Sequence, residues 1–157
     1  MIRFAQRRRD AEGAGGLRSI DEVSGDILDV ALRLHRTLGP GLLESVYETV
    51  LAAKLSDLGY MVERQRPVDI EFEGLRFPAA FRIDLLIDER VLVEIKSVER
   101  LNPAHAKQLL TYLRLTGQPL GLLINFGGAT LKEGFKRLVN NYSPSAPQRL
   151  CANPNPR

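Results

Sequence analysis

The chain has 157 residues, with 22 Lys and Arg against 19 Asp and Glu, a formal net charge of +3 and a sequence pI near 9.2. A chain of this length buries roughly 68–70% of the surface its unfolded form exposes, and 44% hydrophobic residues supply a core, so neither disulfides nor a structural metal is needed. The lone Cys151 excludes an internal disulfide and a thiolate zinc ribbon, no apolar run approaches the ~18 residues of a membrane span, and the opening MIRFAQRRRDAEGAGG lacks the apolar stretch of a secretion signal, so a cytoplasmic location is expected.

Residues 1–18 are Gly-rich, with five Arg against Asp10 and Glu12, and residues 143–157 contain four prolines without apolar period. Both read as flexible tails around one domain, residues 19–142. Ser19-Ile20-Asp21-Glu22 has the form of a capping box, and Ile20, Val23, Ile27, Val30, Leu34 and Leu38 follow at steps of three and four. This predicts a helix to Leu38, stopped by Gly39-Pro40-Gly41. A second helix, LLESVYETVLAAKLSDL, closes on Gly59. The period then changes to two: YMVERQRPVDIEF, FRIDLLI and VLVEIKSV read as strands, with turns at Glu73-Gly74 and Asp88-Glu89-Arg90. Asn102-Pro103 opens the helix AHAKQLLTYLRL, the apolar run PLGLLINF reads as a buried strand, and the capping-box pattern Thr130-Leu131-Lys132-Glu133 predicts a last helix to Asn140. The order predicts an α/β domain with a small mixed sheet flanked by helices.

Chemistry concentrates on the hairpin. Phe81, Ile83, Leu85 and Ile87 share one parity and leave Arg82 and Asp84 on the other face; Val91, Val93 and Ile95 separate likewise from Glu94 and Lys96. A three-residue loop at 88–90 sets Asp84 opposite Glu94 and Arg82 opposite Lys96. Two opposed carboxylates repel unless a cation lies between them, and hard oxygen ligands suit Mg²⁺ or Mn²⁺. A cross-strand ion network, with Arg82 and Lys96 neutralising the carboxylates, is the other reading of the same four residues. On the second helix Glu44 lies on the stripe of Tyr47, Leu51 and Leu55, whereas Ser45, Glu48, Thr49 and Ser56 form the polar side. A carboxylate on an apolar stripe needs a partner. On the later helix His105, Gln108, Tyr112 and Leu115 fall on one line, apart from an apolar face and from Lys107, Thr111 and Arg114; His105 reads as a satisfied boundary residue.

Gly41-Leu42-Leu43-Glu44-Ser45-Val46-Tyr47 is the signature of the GxxExxY proteins, a branch of the PD-(D/E)xK nuclease superfamily. Asp84 resembles the superfamily's strand aspartate, Glu94-Ile95-Lys96 its E-x-K, and Gln108 with Tyr112 the Q-xxx-Y of the recombination-exonuclease branch. The resemblance covers residues 20–140, with Ile83 in place of the proline in the superfamily's name. It implies a restriction-endonuclease-like core of helix, three strands, helix and strand, with the first helix added outside it. It also implies Mg²⁺-dependent hydrolysis of phosphodiester bonds. Asp84 and Glu94 would bind the metal with the backbone carbonyl of Ile95, Glu44 would be an accessory acid there, Lys96 would position the attacking water, and Gln108 and Tyr112 would support the site.

The expected function is therefore a nuclease, with DNA preferred over RNA as substrate and internal cutting as the expected mode. The alternatives are a non-cleaving nucleic-acid module of the same fold and a small interaction protein with a salt-bridge ladder. Residues 19–102 hold 10 basic and 16 acidic side chains, residues 103–142 hold 5 and 1. The first part is ready for a cation. The second offers Lys107, Arg114, Lys132, Lys136 and Arg137 to phosphates. With 6% aromatic residues, no aromatic-rich strand face offers a stacking platform, so single-strand binding through stacked bases is not expected. A homodimer is an open expectation, with the first helix as a candidate surface, although its apolar stripe is better explained by packing on its own domain.

Overall fold

A computed structural model describes residues 17–140; the rest of the Arg-rich arm, residues 141–142 of the expected domain and the whole Pro-rich tail, including Cys151, lie outside the described residues. The elements are α1 (Ile20–Leu38), α2 (Glu44–Asp57), β1 (Val62–Phe72), β2 (Leu75–Ile87), β3 (Val91–Lys96), α3 (Pro103–Thr116), β4 (Leu120–Asn125) and β5 (Phe135–Val139), with a 3₁₀ turn over Lys132–Gly134. The five strands form one mixed sheet in sequence order, antiparallel except for the parallel β3–β4 pair that α3 connects. This is the expected α/β architecture, consistent with a restriction-endonuclease-like fold.

The two faces of the sheet are covered separately. α1 and α2 enclose Val23, Ile27, Leu34, Tyr47, Leu51 and Leu55 against Leu85, Val93, Leu122 and Ile124, while α3 sets Leu109 and Leu113 against Leu92, Leu86 and Leu123. The capping box of α1 forms as predicted, and its apolar stripe is buried in its own core. Arg18, assigned by sequence to the flexible arm, belongs to the folded body: it donates to the Leu58 carbonyl at 2.9 Å and lies over the Tyr60 ring at 4.3 Å.

Two of the expected elements are corrected. The predicted last helix is the strand β5, which covers the outer edge of β4 from Leu120↔Val139 to Ile124↔Phe135. An unpaired β4 edge would leave a row of backbone donors and acceptors unsatisfied, and that outweighs the capping-box pattern. In addition, β2 begins at Leu75 rather than Phe81, so β1 and β2 form a ribbon much longer than the part that β3 pairs.

The hairpin register is the predicted one, with Leu85↔Val93, Leu86↔Leu92 and Ile87↔Val91. The common face expected of Phe81, Ile83, Leu85 and Ile87 is not maintained, however. Leu85 and Ile87 join the α1–α2 core, whereas Phe81 and Ile83 pack on the α3 side. The change falls at Asp84, where pairing with β3 has ended and the neighbouring β1 residue, Gln65, has a left-handed φ of 50°. A residue in that conformation breaks the alternation of a strand.

Candidate active site

The turn between α1 and α2 is built around Tyr47. Its buried ring stacks on Phe126, with centroids 4.4 Å apart, and its hydroxyl donates to the Gly39 carbonyl and accepts the Leu42 N–H at 3.3 Å. Gly41, at φ 101°, supplies the backbone conformation that lets the chain turn back. The Gly and Tyr of the signature thus fix where α2 starts, and Glu44 is its first residue. Its Oε1 accepts the Ser97 N–H at 3.3 Å, while Ser97 Oγ donates to the Leu42 carbonyl at 2.6 Å. Glu44 is exposed, because the first turn of α2 overhangs the end of β3 instead of lying on the core.

Glu48 is the acid that α2 buries, at 6% exposure, contrary to its assignment to the polar side. At roughly 100° per residue it falls between Leu51 and Ala52, both of them core residues, and that position was the available signal. Arg64 Nε meets its Oε1 at 3.1 Å and Gln65 Nε2 donates to its Oε2 at 2.7 Å.

The carboxylates gather where β2 leaves β3. Asp84 does not continue the ladder opposite Glu94; its Oδ2 accepts the Ile95 N–H at 2.8 Å, which takes the place of the next backbone hydrogen bond. Its Oδ1 accepts from Gln65 Nε2 at 3.2 Å, so one amide joins Glu48 to Asp84. Glu94, at 7% exposure, holds Lys96 Nζ at 3.2 Å from Oε1. Arg82 is not opposite Lys96; it donates to the Gln65 carbonyl at 3.2 Å, so of the alternative four-residue ion network the Glu94–Lys96 pair alone is formed. The chain beyond Lys96 is held by buried Asn125, whose side chain accepts from Val98 N and Gly127 N and donates to the Val98 carbonyl. Gln65, Ser97 and Asn125 were not singled out by sequence. A polar residue inside an apolar run was the only sign of Asn125.

Burial first, and then the neighbouring Asp84 charge, push Glu94 up to about 7 from its usual 4.5. Burial also raises Asp84, against the hydrogen bonds from Ile95 and Gln65, and the Glu48 charge adds to the rise. For Lys96 burial opposes the charged form, but Glu94, Glu44 and Asp84 outweigh it and leave the pKa above its ordinary value. The phenol of Tyr112 is raised by burial and then by Glu94. Two carboxylates are thus packed together with one ammonium that stays charged. Among the described residues no three His, Cys, Asp or Glu side chains form a ready-made metal cage. The donor set nevertheless fits a hard divalent ion, which takes one or two carboxylates and fills its other positions with oxygens from elsewhere.

Of the remaining predicted residues, Tyr112 stacks on Phe81, with centroids 3.9 Å apart, and lies within the electrostatic reach of Glu94 and Lys96. Gln108 is exposed one turn earlier on α3. His105 closes the α3 cap, its Nδ1 accepting the Asn102 N–H at 3.2 Å. Lys107, Arg114, Lys132 and Lys136 are exposed, but Lys136 and Arg137 point to opposite faces of β5, and Arg137 is paired with Asp21 on α1 at 2.6 Å. No described helix is long and apolar enough to cross a membrane. A family model described as the PD-(D/E)XK nuclease superfamily matches residues 21–138, three quarters of the chain. Neither curated proteins nor solved structures give a significant match.

Proposed function

The chain belongs to the PD-(D/E)XK nuclease superfamily, and from that premise we propose that it is a nuclease whose active site is Asp84, Glu94 and Lys96, dependent on Mg²⁺ or Mn²⁺. The observation that carries the reading is the Asp84–Glu94 pair. A buried and a half-buried carboxylate, both of raised pKa, at the open fork of β2 and β3 are costly to the apo protein and gain most from a divalent cation. Asp84, Glu94 and the Ile95 carbonyl would hold that ion. When bound, it supplies charge against the phosphate and acidifies water.

Lys96 acts as a charged donor. With its pKa raised it holds its proton at neutral pH, so it orients the attacking water and stabilises negative charge on the phosphate instead of serving as a general base. Glu44 stands at the rim as a second acceptor, and Tyr112 with Gln108 lines the α3 side. Lys107, Arg114 and Lys136 share that side and are assigned to the nucleic-acid backbone, with Lys132 as an auxiliary; Arg137 is held by Asp21. DNA as substrate, internal cutting, the GxxExxY placement and a cytoplasmic setting belong to the same proposal and rest on the motifs.

The test is the purified chain with Mg²⁺ or Mn²⁺ on single- and double-stranded DNA and RNA. Cleavage is expected, and Asp84→Ala is expected to lower its rate by at least about a hundred- to a thousand-fold. No cleavage of any of the four substrates, or activity that survives Asp84→Ala, sinks the reading.

A further inference from the structure

The outer half of the β1–β2 ribbon carries an apolar face that the core does not use. Ile70 pairs with Phe77 and Phe72 with Leu75, so these four side chains share one face. Phe72, Leu75 and Phe77 are 56%, 62% and 49% exposed. Two residues nearer the root, Val68 pairs with Phe81, and Phe81 stacks on Tyr112, whose phenol is in the field of Glu94 and Lys96. Because β2 bulges between Phe81 and Phe77, the stretch from Phe81 to Leu75 lies beside Val68 to Phe72 and covers about 13 Å at roughly 3.3 Å per residue. The other face of the tip is polar: Asp69 is paired with Arg76 at 2.8 Å and accepts the Ala79 N–H, and Glu71 stands opposite Arg76.

We propose that this face is a track for unpaired bases, which stack on Phe72 and Phe77 and lead a single strand past Phe81 and Tyr112 into the site. The inference rests on the nuclease reading and adds the class of substrate, single-stranded nucleic acid or an unpaired end. Continuity with the site through Tyr112 favours this occupant. So does the chemistry of the face. Phe72, Phe77, Phe81 and Tyr112 are four of the chain's six Phe and four Tyr, drawn from two strands and a helix, which is why no single strand revealed them. The tip's Asp69 and Glu71 are on the opposite face, as is Arg82, whereas Arg66, which shares the parity of Val68 and Ile70 and is paired with Glu63 at 3.1 Å, and Lys107 on α3 are the exposed cations left for the phosphates. A second copy fits less well. A stable protein interface needs about 800 Å² and some 20–30 residues on each side, which four side chains on a narrow ribbon do not provide, whereas bases stack one ring at a time.

The experiment measures binding of the full chain in EDTA, where cleavage is suppressed, to a labelled twelve-residue oligothymidylate and to an abasic strand of the same length. The wild type is expected to hold the thymidylate at least ten-fold more tightly. In Phe72→Ala/Phe77→Ala that difference should vanish while the abasic affinity and the melting temperature stay unchanged. Because the chain has no Trp, Phe77→Trp adds a single indole whose emission a stacked base should quench. Equal wild-type affinity for the two strands, or an indole that oligothymidylate leaves unquenched, overturns the track. So does a sedimenting dimer that the double alanine variant dissolves, since the face would then belong to a second copy. Base-dependent binding without cleavage of any substrate would instead count against the nuclease reading alone.

Discussion

β2 passes through two different environments. From Leu85 to Ile87 it is fully buried between β1 and β3, whereas from Leu75 to Ala80 every residue is exposed and only β1 pairs with it. The inner half has the regular ladder. The outer half carries a bulge, with Ala79 at a left-handed φ of 47° and a register shift between Val68 and Ile70. The catalytic candidate Asp84 sits at the junction. A carboxylate needs rigid support to hold an ion and an open side to admit a substrate, and only the place where a buried strand becomes a free ribbon offers both.

Truncation at each end of β2 should separate the two environments most sharply. Leu85→Ala opens a cavity at a fully buried position and is expected to cost about 2–5 kcal/mol in chemical denaturation. Phe77→Ala, on the exposed tip, should stay within about 0.5 kcal/mol of the wild type. Similar losses at the two positions would mean that the ribbon is part of the core and would remove the basis of the contrast.

The junction itself should respond to pH. Glu94 holds its proton more tightly in the folded chain, near 7, than at the ordinary 4.5. Between those values the unfolded chain binds fewer protons, so this group makes stability fall as pH rises from 4.5 to about 7, by up to about 3 kcal/mol. Glu94→Gln should therefore raise the melting temperature of the metal-free protein at pH 8, leave it nearly unchanged at pH 4, and abolish cleavage. Mg²⁺ should stabilise the wild type more at pH 8 than at pH 5 and do little for Glu94→Gln. Melting curves at the two pH values, with and without the ion, decide this. A variant less stable than the wild type at pH 8 would show that Glu94 is satisfied without a cation.

The inner half of this comparison was legible in the sequence, and the outer half was not. Apolar parity on both strands fixed the register around Leu86 and Leu92, because a slip of one residue would turn every buried side chain to the other face. The same parity singled out Asp84, Glu94 and Lys96 as candidates. β5 was misread because Leu131, Phe135 and Leu138 stand at the steps of four and three of a helix, whereas in the strand Phe135 and Leu138 pack on opposite faces of the sheet, and the need to cover β4's edge appears only once the sheet exists. Gly134 shows how tightly that edge closes: a Cβ there would lie 2.6 Å from the Asn125 carbonyl oxygen. Glu48 was assigned by residue type when its wheel angle pointed inward. Gln65 carried no signal, since nothing in Arg64-Gln65-Arg66 asks for a left-handed residue inside a strand.

Gln65 is also where the smallest predicted effect tells most about the junction. Its φ of 50° breaks the ladder beside Asp84, and its amide fills the space between Glu48 and Asp84, at 2.7 and 3.2 Å. A buried and a half-buried carboxylate joined by one donor group are held in a fixed relation, as outer partners of a metal ligand commonly are. Gln65→Ala should leave Asp84 with the Ile95 N–H as its remaining donor and is expected to raise the Mg²⁺ concentration for half-maximal cleavage by about ten-fold, with a smaller change in the rate at saturation. Gln65→Lys places an ammonium between the same two oxygens and should recover part of the orientation while competing with the ion, so its Mg²⁺ requirement should also rise, but in proportion to salt sensitivity. If Gln65→Ala changes neither the Mg²⁺ requirement nor the rate, the Ile95 N–H alone orients Asp84, and the strained residue serves the turn of the ribbon rather than the site.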